Sequence, residues 1–460
     1  MRYNKAIIPQ EKHSPTRCRM KFKIRFSNER LITPSGLAIA GLLIDKTDLK
    51  RRLDSLKLKD NANPQVKNSD VAMSYIGLLC QGKSDFEAIR EMEEDPEFYM
   101  DALNIRRIPS SGTLRQRMDL AGNKLRTILL EENVNLLKEA GATFTPCYKG
   151  WIPLDVDVSP FDNSNTKKEG VSYTYKGFNG YSPIFAYLGE EGYQLNMEFR
   201  EGSDHCQKNT DVFLRDTLLY AKQLTTGPLL LRLDSGNDSA DNIKVCYTPE
   251  TCSDFIIKRN LRKEKPSCWK TIAQENEGTK VEAPREGKNV YTGSVYWEVK
   301  EAGRKVRIVY QVIERSITAN GQILLVPDIE VQTWWTSLSI EEKEVIELYK
   351  AHGTCEQFHS EIKTDMDLER LPSGYFDTNG LVLELALLSF NILRLMGQES
   401  LKKDDIAIKR DVKRRRLRTV IQNLITLASH VVKHARQVYL NLGQSNVWRF
   451  TFKRLYEAFV

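Results

Sequence analysis

IPLDVDV, residues 152–158, is the stretch on which the reading of the fold turns. From Leu154 to Val158 apolar and acidic residues alternate, the period of a β-strand with one buried face. Leu154, Val156 and Val158 then point into a core layer. Asp155 and Asp157 share the other face, roughly 6.6 Å apart along the strand. Aspartate is unfavourable within strands, so two on one face call for a purpose, and periodicity alone does not choose between them.

Working outward, YSPIFAYL (181–188) and YQLNMEFR (193–200) are strand-like runs joined by the turn-like GEEG (189–192). NTDVFLRDTLLYAKQL (209–224) has helical periodicity, and PLLLRLD (228–234) is a β-rich run. A short helix is expected from Asp238, and SDFIIKR (253–259) reads as a further strand. The order β-β-β-α-β-α-β predicts an α/β, RNase H-like domain: three antiparallel strands, then strands that enter through helical crossovers. Asp157 then lies near the C-terminal end of the first strand, and Asp234 ends a strand running parallel beside it.

Other textures flank this segment. Residues 1–33 are basic and weakly patterned, and 34–148 are helical, with breaks at Pro64, Pro96 and Pro109. Residues 149–259 form the first part of the α/β domain. VYTGSVYWEV, KVRIVYQVIE and GQILLVPDI suggest that 260–335 are an inserted β subdomain. Helix returns in 336–380, where Ser339 and Glu342 have capping-box spacing, and 381–460 read as helical and basic. Within the N-terminal region, Ser110 or Ser111 can cap the helix GTLRQRMDLAG, whose Arg115, Gln116 and Arg117 suit either a DNA-reading helix or an ordinary solvated face.

The formal charge of +7 is unevenly placed. Residues 1–30 hold nine Lys/Arg against two acids, and 401–420 nine against three. Basic blocks at both ends suit a polyanion such as DNA, because each phosphate neutralised releases counterions. The eight cysteines show no paired metal-site spacing, which predicts reduced thiols and a cytoplasmic protein. The longest apolar run, 381–397, contains Glu384 and Arg394 and is short for a bilayer span, so no membrane role is expected.

Metal-assisted phosphoryl transfer brings together carboxylates from separate elements, since Mg²⁺ takes a few carboxylates plus water and substrate oxygens. Asp157 and Asp234 are two such groups. YKAHGTCEQFHSEIK (349–363) carries a third, Glu356, and a helix would place Glu356 and Lys363 on one face, two turns apart. Trp297, Trp334 and Trp335 can stack on an unpaired base or pack the β insertion.

The spacing Tyr349, His352, Glu356, Lys363 resembles the Tyr-Arg-Glu-Lys signature of a large group of bacterial insertion-sequence transposases with a DDE catalytic domain. LDVDVS, GYSPIFAYLGEEGYQLNMEFREGS, LLLRLDSGND and GTCEQFHSEIKTDMDLERLPSGYFDTN resemble its group 1 branch, over roughly residues 150–260 and 330–440. The resemblance implies that Asp157, Asp234 and Glu356 bind two Mg²⁺ ions, with Mn²⁺ able to substitute, and that Tyr349 and Lys363 contact the DNA backbone. His352 stands at the arginine position of the signature and is read with them as a phosphate contact, though histidine lacks the bidentate fork of arginine. Asp157, followed by Val-Ser, matches the family pattern better than Asp155, which then serves as a neighbouring group or an alternative ligand. Cut-and-paste transposition is implied, by a homodimer holding two terminal inverted repeats and joining them to target DNA. A nuclease without strand transfer and a transposase-derived DNA-binding protein that has lost catalysis are the alternatives.

Overall fold

In the computed structural model, residues 22–58, 64–403, 405 and 412–460 are described. A mixed nine-stranded sheet forms its centre. Its strands are β1 (Ile152–Val158), β2 (Ile184–Leu188), β3 (Tyr193–Glu198), β4 (Leu229–Leu233), β5 (Asp254–Arg259), β6 (Lys280–Arg285), β7 (Lys288–Val299), β8 (Arg304–Ile317) and β9 (Ile323–Thr336). Across the sheet they run β6-β7-β8-β9-β5-β4-β1-β2-β3. β1 is antiparallel to β2 and parallel to β4, and β4 is parallel to β5. Adjacent parallel strands place Asp157, near the end of β1, beside Asp234, which follows β4.

Helices cover both faces of the sheet. Leu154, Val156 and Val158 pack in one core with Phe213, Leu214 and Leu218 of the helix Thr210–Leu224. On the other face, Phe185, Tyr187, Tyr193 and Met197 join a core built around the helix Phe376–Leu401. That helix is long and apolar enough to cross a membrane, yet it is buried inside the protein. Its charges are paired there, Glu384 with Arg126 and Arg394 with Glu361. It also packs on Asn68–Leu79, Ser111–Ala121 and Arg126–Glu139, so the N-terminal helices and the C-terminal region share one core.

Two expectations change in detail. The strands of 260–335 do not stand apart: Thr333–Thr336 of β9 pair with Ile256–Arg259 of β5 and continue the central sheet. The edge of β5 would otherwise present unpaired backbone groups. The C-terminal region is also not all helix, because Ser429–His434 and Gln437–Leu442 form a β-hairpin whose first strand pairs with Leu31–Ile32. Ala435 and Arg436 both have positive φ in its two-residue turn. That conformation usually calls for Asn or Gly, so the customary turn signal is missing from the sequence.

Candidate active site

The site is assembled from three chain segments. Val158 N–H donates to Asp157 Oδ1 at 2.8 Å, and Asn237 Nδ2 donates to Asp234 Oδ1 at 2.8 Å. Glu356, exposed, is the second residue of the helix Cys355–Ser360. Burial and the neighbouring charge of Asp234 push the Asp157 carboxyl up to about 7; Glu356 adds to the rise, while His352 and the Val158 N–H oppose it. The three acids therefore share an electrostatic neighbourhood rich in negative charge. Asp157 and Glu356 line a cleft of about 490 Å³ with Ser159, Tyr175, Lys176, His359 and Lys363. A larger, mainly apolar groove of about 750 Å³, between the N-terminal helices and the C-terminal hairpin, contains none of the three acids.

Asp155 takes a different part from Asp157. Parallel register sets it against Arg232, whose guanidinium grips both carboxylate oxygens at 2.6 and 2.7 Å and also donates to Leu348 O. Burial opposes ionisation of Asp155, but Arg232 and His352 outweigh it and hold the carboxyl below its usual range. Donor atoms of Asp155, His352 and Cys355 lie within 4.8 Å of one another. A cation there would face Arg232, and burial holds the Cys355 thiol in its protonated form, so this group is better suited to packing than to metal binding. Asp155 thus anchors the floor of the site, with both of its oxygens held by Arg232.

Of the remaining candidates, Tyr349 and Lys363 stand near the acids. Tyr349 packs against Trp334 and His352, and burial, then the charges of Asp234 and Asp157, raise its phenol. Lys363 sits in a π-helical turn, Glu361–Asp365, rather than two regular turns beyond Glu356. Its ammonium donates to Pro160 O and lies 3.8 Å from Glu369. His352 turns inward: it is 6% exposed and its Nδ1 is 2.9 Å from Asp155 Oδ1. That corrects its reading as a phosphate contact, since the side chain is spent on the Asp155 cluster.

The tryptophans also face inward. Trp334 is buried, Trp335 Nε1 donates to Asp238 Oδ1 at 2.9 Å, and Trp297 stacks on Trp269. Arg259 lies over the rings of Trp269, Trp297 and Trp335, so packing, not base stacking, occupies all three predicted tryptophans. In the helix Ser111–Ala121, capped by Ser110 as expected, Arg115 and Gln116 are exposed. Arg117 is instead tied to Asn68 and to Val66 O. The C-terminal basic block is partly structural, with Arg416 and Arg418 on Asp365 and Arg414 over Phe358. Most of the N-terminal block lies outside the described residues.

Two residues at the site were missed in the sequence. Arg232 carried a signal, a charge in the middle of the apolar run LLLRL. His359 carried only a three-residue offset from Glu356; it is buried, with Nδ1 3.8 Å from Asp157 Oδ2 and Nε2 without a hydrogen-bond partner among the described residues. Burial, reinforced by Lys363 and His352, lowers it to about 3, so it is neutral beside Asp157.

Residues 15–459 match the family profile described as Transposase DDE domain group 1. Among solved structures, the chain is similar to that described as the cryo-EM structure of piggyBac transposase synaptic complex with hairpin DNA. The likeness has a TM-score of 0.43 at 9% identity and covers 92% of this chain and 82% of that one. No curated protein matches.

Proposed function

The chain belongs to the transposase DDE domain group 1 family, and from that premise we propose that it is a cut-and-paste DNA transposase whose reacting centre is Asp157, Asp234 and Glu356. The observation that carries this reading is the placement of Asp157 and Asp234 at the ends of two adjacent parallel strands, where burial first, and then the charges of Asp234 and Glu356, push the Asp157 carboxyl up to about 7. The order β3-β2-β1-β4-β5, antiparallel through β1–β3 and parallel from β1 to β5, supports an RNase H-like catalytic domain.

The donor set fits Mg²⁺: hard carboxylate oxygens on separate elements, crowded enough that one holds a proton near neutrality. Asp157, Asp234 and Glu356 would hold two ions, with Mn²⁺ able to replace them. Such ions, when bound, help to ionise an attacking hydroxyl and stabilise the leaving oxygen. The Val158 N–H fixes Asp157, Asn237 fixes Asp234, and Asp155 with Arg232 keeps β1 and β4 in register beneath them. Lys363 and Tyr349 would meet the DNA backbone. In this reading water attacks a phosphodiester at an element end and frees a 3′-hydroxyl, which then attacks a phosphodiester of target DNA. A homodimer holding two inverted repeats, in the cytoplasm of a bacterium, completes it. Incubating the chain with paired terminal repeats and a target plasmid tests the reading: joined products are expected, and cutting without joining would indicate a nuclease.

Cation binding should also depend on pH. The folded chain keeps the Asp157 proton to about pH 7, whereas an unfolded carboxyl loses it near 4. Without metal, this group's contribution to stability therefore falls as pH rises through that window. Mg²⁺ binds the ionised form, so its stabilisation of the fold should grow from pH 5.5 to pH 8. Thermal melting with and without Mg²⁺ checks this, and an equal or larger shift at the lower pH would contradict it.

Removing residues 1–29 should flatten the fall of DNA affinity with salt by about 0.9 in log–log slope for each phosphate that the arm had neutralised. Arg30 is retained because it pairs with Asp95 and Glu97. Anisotropy titrations at several salt concentrations measure the slope, and an unchanged slope would mean that the arm does not touch DNA.

A further inference from the structure

Residues 159–183, between β1 and β2, fold into a small three-stranded sheet of Phe161–Asp162, Ser172–Tyr173 and Asn179–Tyr181. It is pinned to the body of the protein. Phe376 N–H donates to Glu169 Oε2 at 2.9 Å and Asn163 Nδ2 to Glu369 O at 3.0 Å, while Tyr181 Oη donates to Glu169 O at 2.8 Å within the segment. Its outer turn, Thr174–Gly177, is closed by Gly177 N–H to Thr174 O at 3.0 Å and Thr174 N–H to Phe178 O at 2.8 Å. Gly177 has φ +88°, where a Cβ would be strained. The turn is therefore a fixed feature, and it carries Tyr175 and Lys176 into the lining of the cleft that holds Asp157, Glu356 and Lys363.

Neither side chain is used up by the fold. Tyr175 donates its hydroxyl to Val158 O at 3.2 Å, next to Asp157, but most of the residue is exposed. The Lys176 ammonium lies 5.6 Å from the Tyr175 ring centroid and has no carboxylate partner among the described residues. A free cation and an open aromatic face thus stand side by side next to the acids. A nucleic-acid strand supplies the complement of both, a phosphate for the ammonium and a base for the ring.

We propose that the Thr174–Gly177 turn is a binding site for an unpaired nucleotide beside the scissile phosphate, with Lys176 on its phosphate and Tyr175 against its base. This rests on the transposase reading above, and the turn takes the stacking part that the three tryptophans, packed against other rings, do not.

The test compares full-length wild type, Lys176→Ala, Tyr175→Ala and Tyr175→Phe. The probes are a duplex ending in the sequence that borders the gene and the same duplex with four unpaired nucleotides at that end. Binding is read by fluorescence anisotropy over a range of salt without divalent cation, and cutting is read separately in Mg²⁺. Lys176→Ala should weaken binding of both probes and lower the salt slope by about 0.7–0.9. Tyr175→Ala should weaken binding of the unpaired probe by about five-fold or more, and Tyr175→Phe, which keeps the ring, should retain that affinity. If wild type binds and cuts while both alanine variants match it, this proposal is overturned and the transposase reading stands. If wild type neither binds nor cuts, the transposase reading falls and takes this one with it.

Discussion

Asp234→Asn and Glu356→Gln are each expected to lower Mg²⁺-dependent cleavage of terminal DNA by more than about a hundred-fold, since losing even an outer partner of a metal ligand costs 10–100-fold. Each change removes one negative charge and keeps the shape of the side chain. DNA binding should therefore survive, because the acids repel phosphate and do not attract it. Asp157→Asn should behave alike and should also raise the thermal midpoint in metal-free buffer at pH 8, where the ionised carboxylate is disfavoured by burial and repelled by Asp234 and Glu356. Cleavage assays with anisotropy on the same preparations separate chemistry from binding. Near wild-type cutting by either Asp234→Asn or Glu356→Gln would remove that residue from the centre.

The second large effect is on stability, and it falls on Asp155. Asp155→Asn would leave the Arg232 guanidinium buried without its counter-charge, a change that costs about 3–5 kcal/mol for pairs of this kind. Arg232→Met alone would strand Asp155 in the same way. The double variant Asp155→Leu with Arg232→Met, which strands no charge, should recover much of the loss. Urea midpoints for the single and double variants form the cycle that checks this. If Asp155→Asn instead kept its midpoint and lost cutting, while Asp157→Asn cut normally, the metal ligand would be Asp155, one pleat away.

The pair Asp155 and Asp157 also shows how far the sequence reached. Alternation in IPLDVDV placed both acids on the face opposite Leu154, Val156 and Val158, and the hydrophobic pattern alone located five central strands to within a few residues. Glu356 and Lys363 were singled out by their spacing together with the family resemblance that it carries, and both line the cleft with Asp157. These features are local: period, turn residues and short offsets along one element record them directly.

Tertiary structure decided what approaches each group. Only the parallel register of β1 with β4 brings Arg232 onto Asp155, while Asp157 lines the cleft. Only packing turns His352 inward, encloses Arg259 with three tryptophans and makes Lys363 part of a π-helical turn. The pairing of β9 with β5 escaped the sequence for the same reason, whereas the Ala435–Arg436 turn escaped it because neither residue is the usual Asn or Gly. The sequence alone determined which faces are apolar and which acids face away from the core. The partners of Asp155, Arg232 and His352, come from residues distant along the chain, and no local period encodes that proximity.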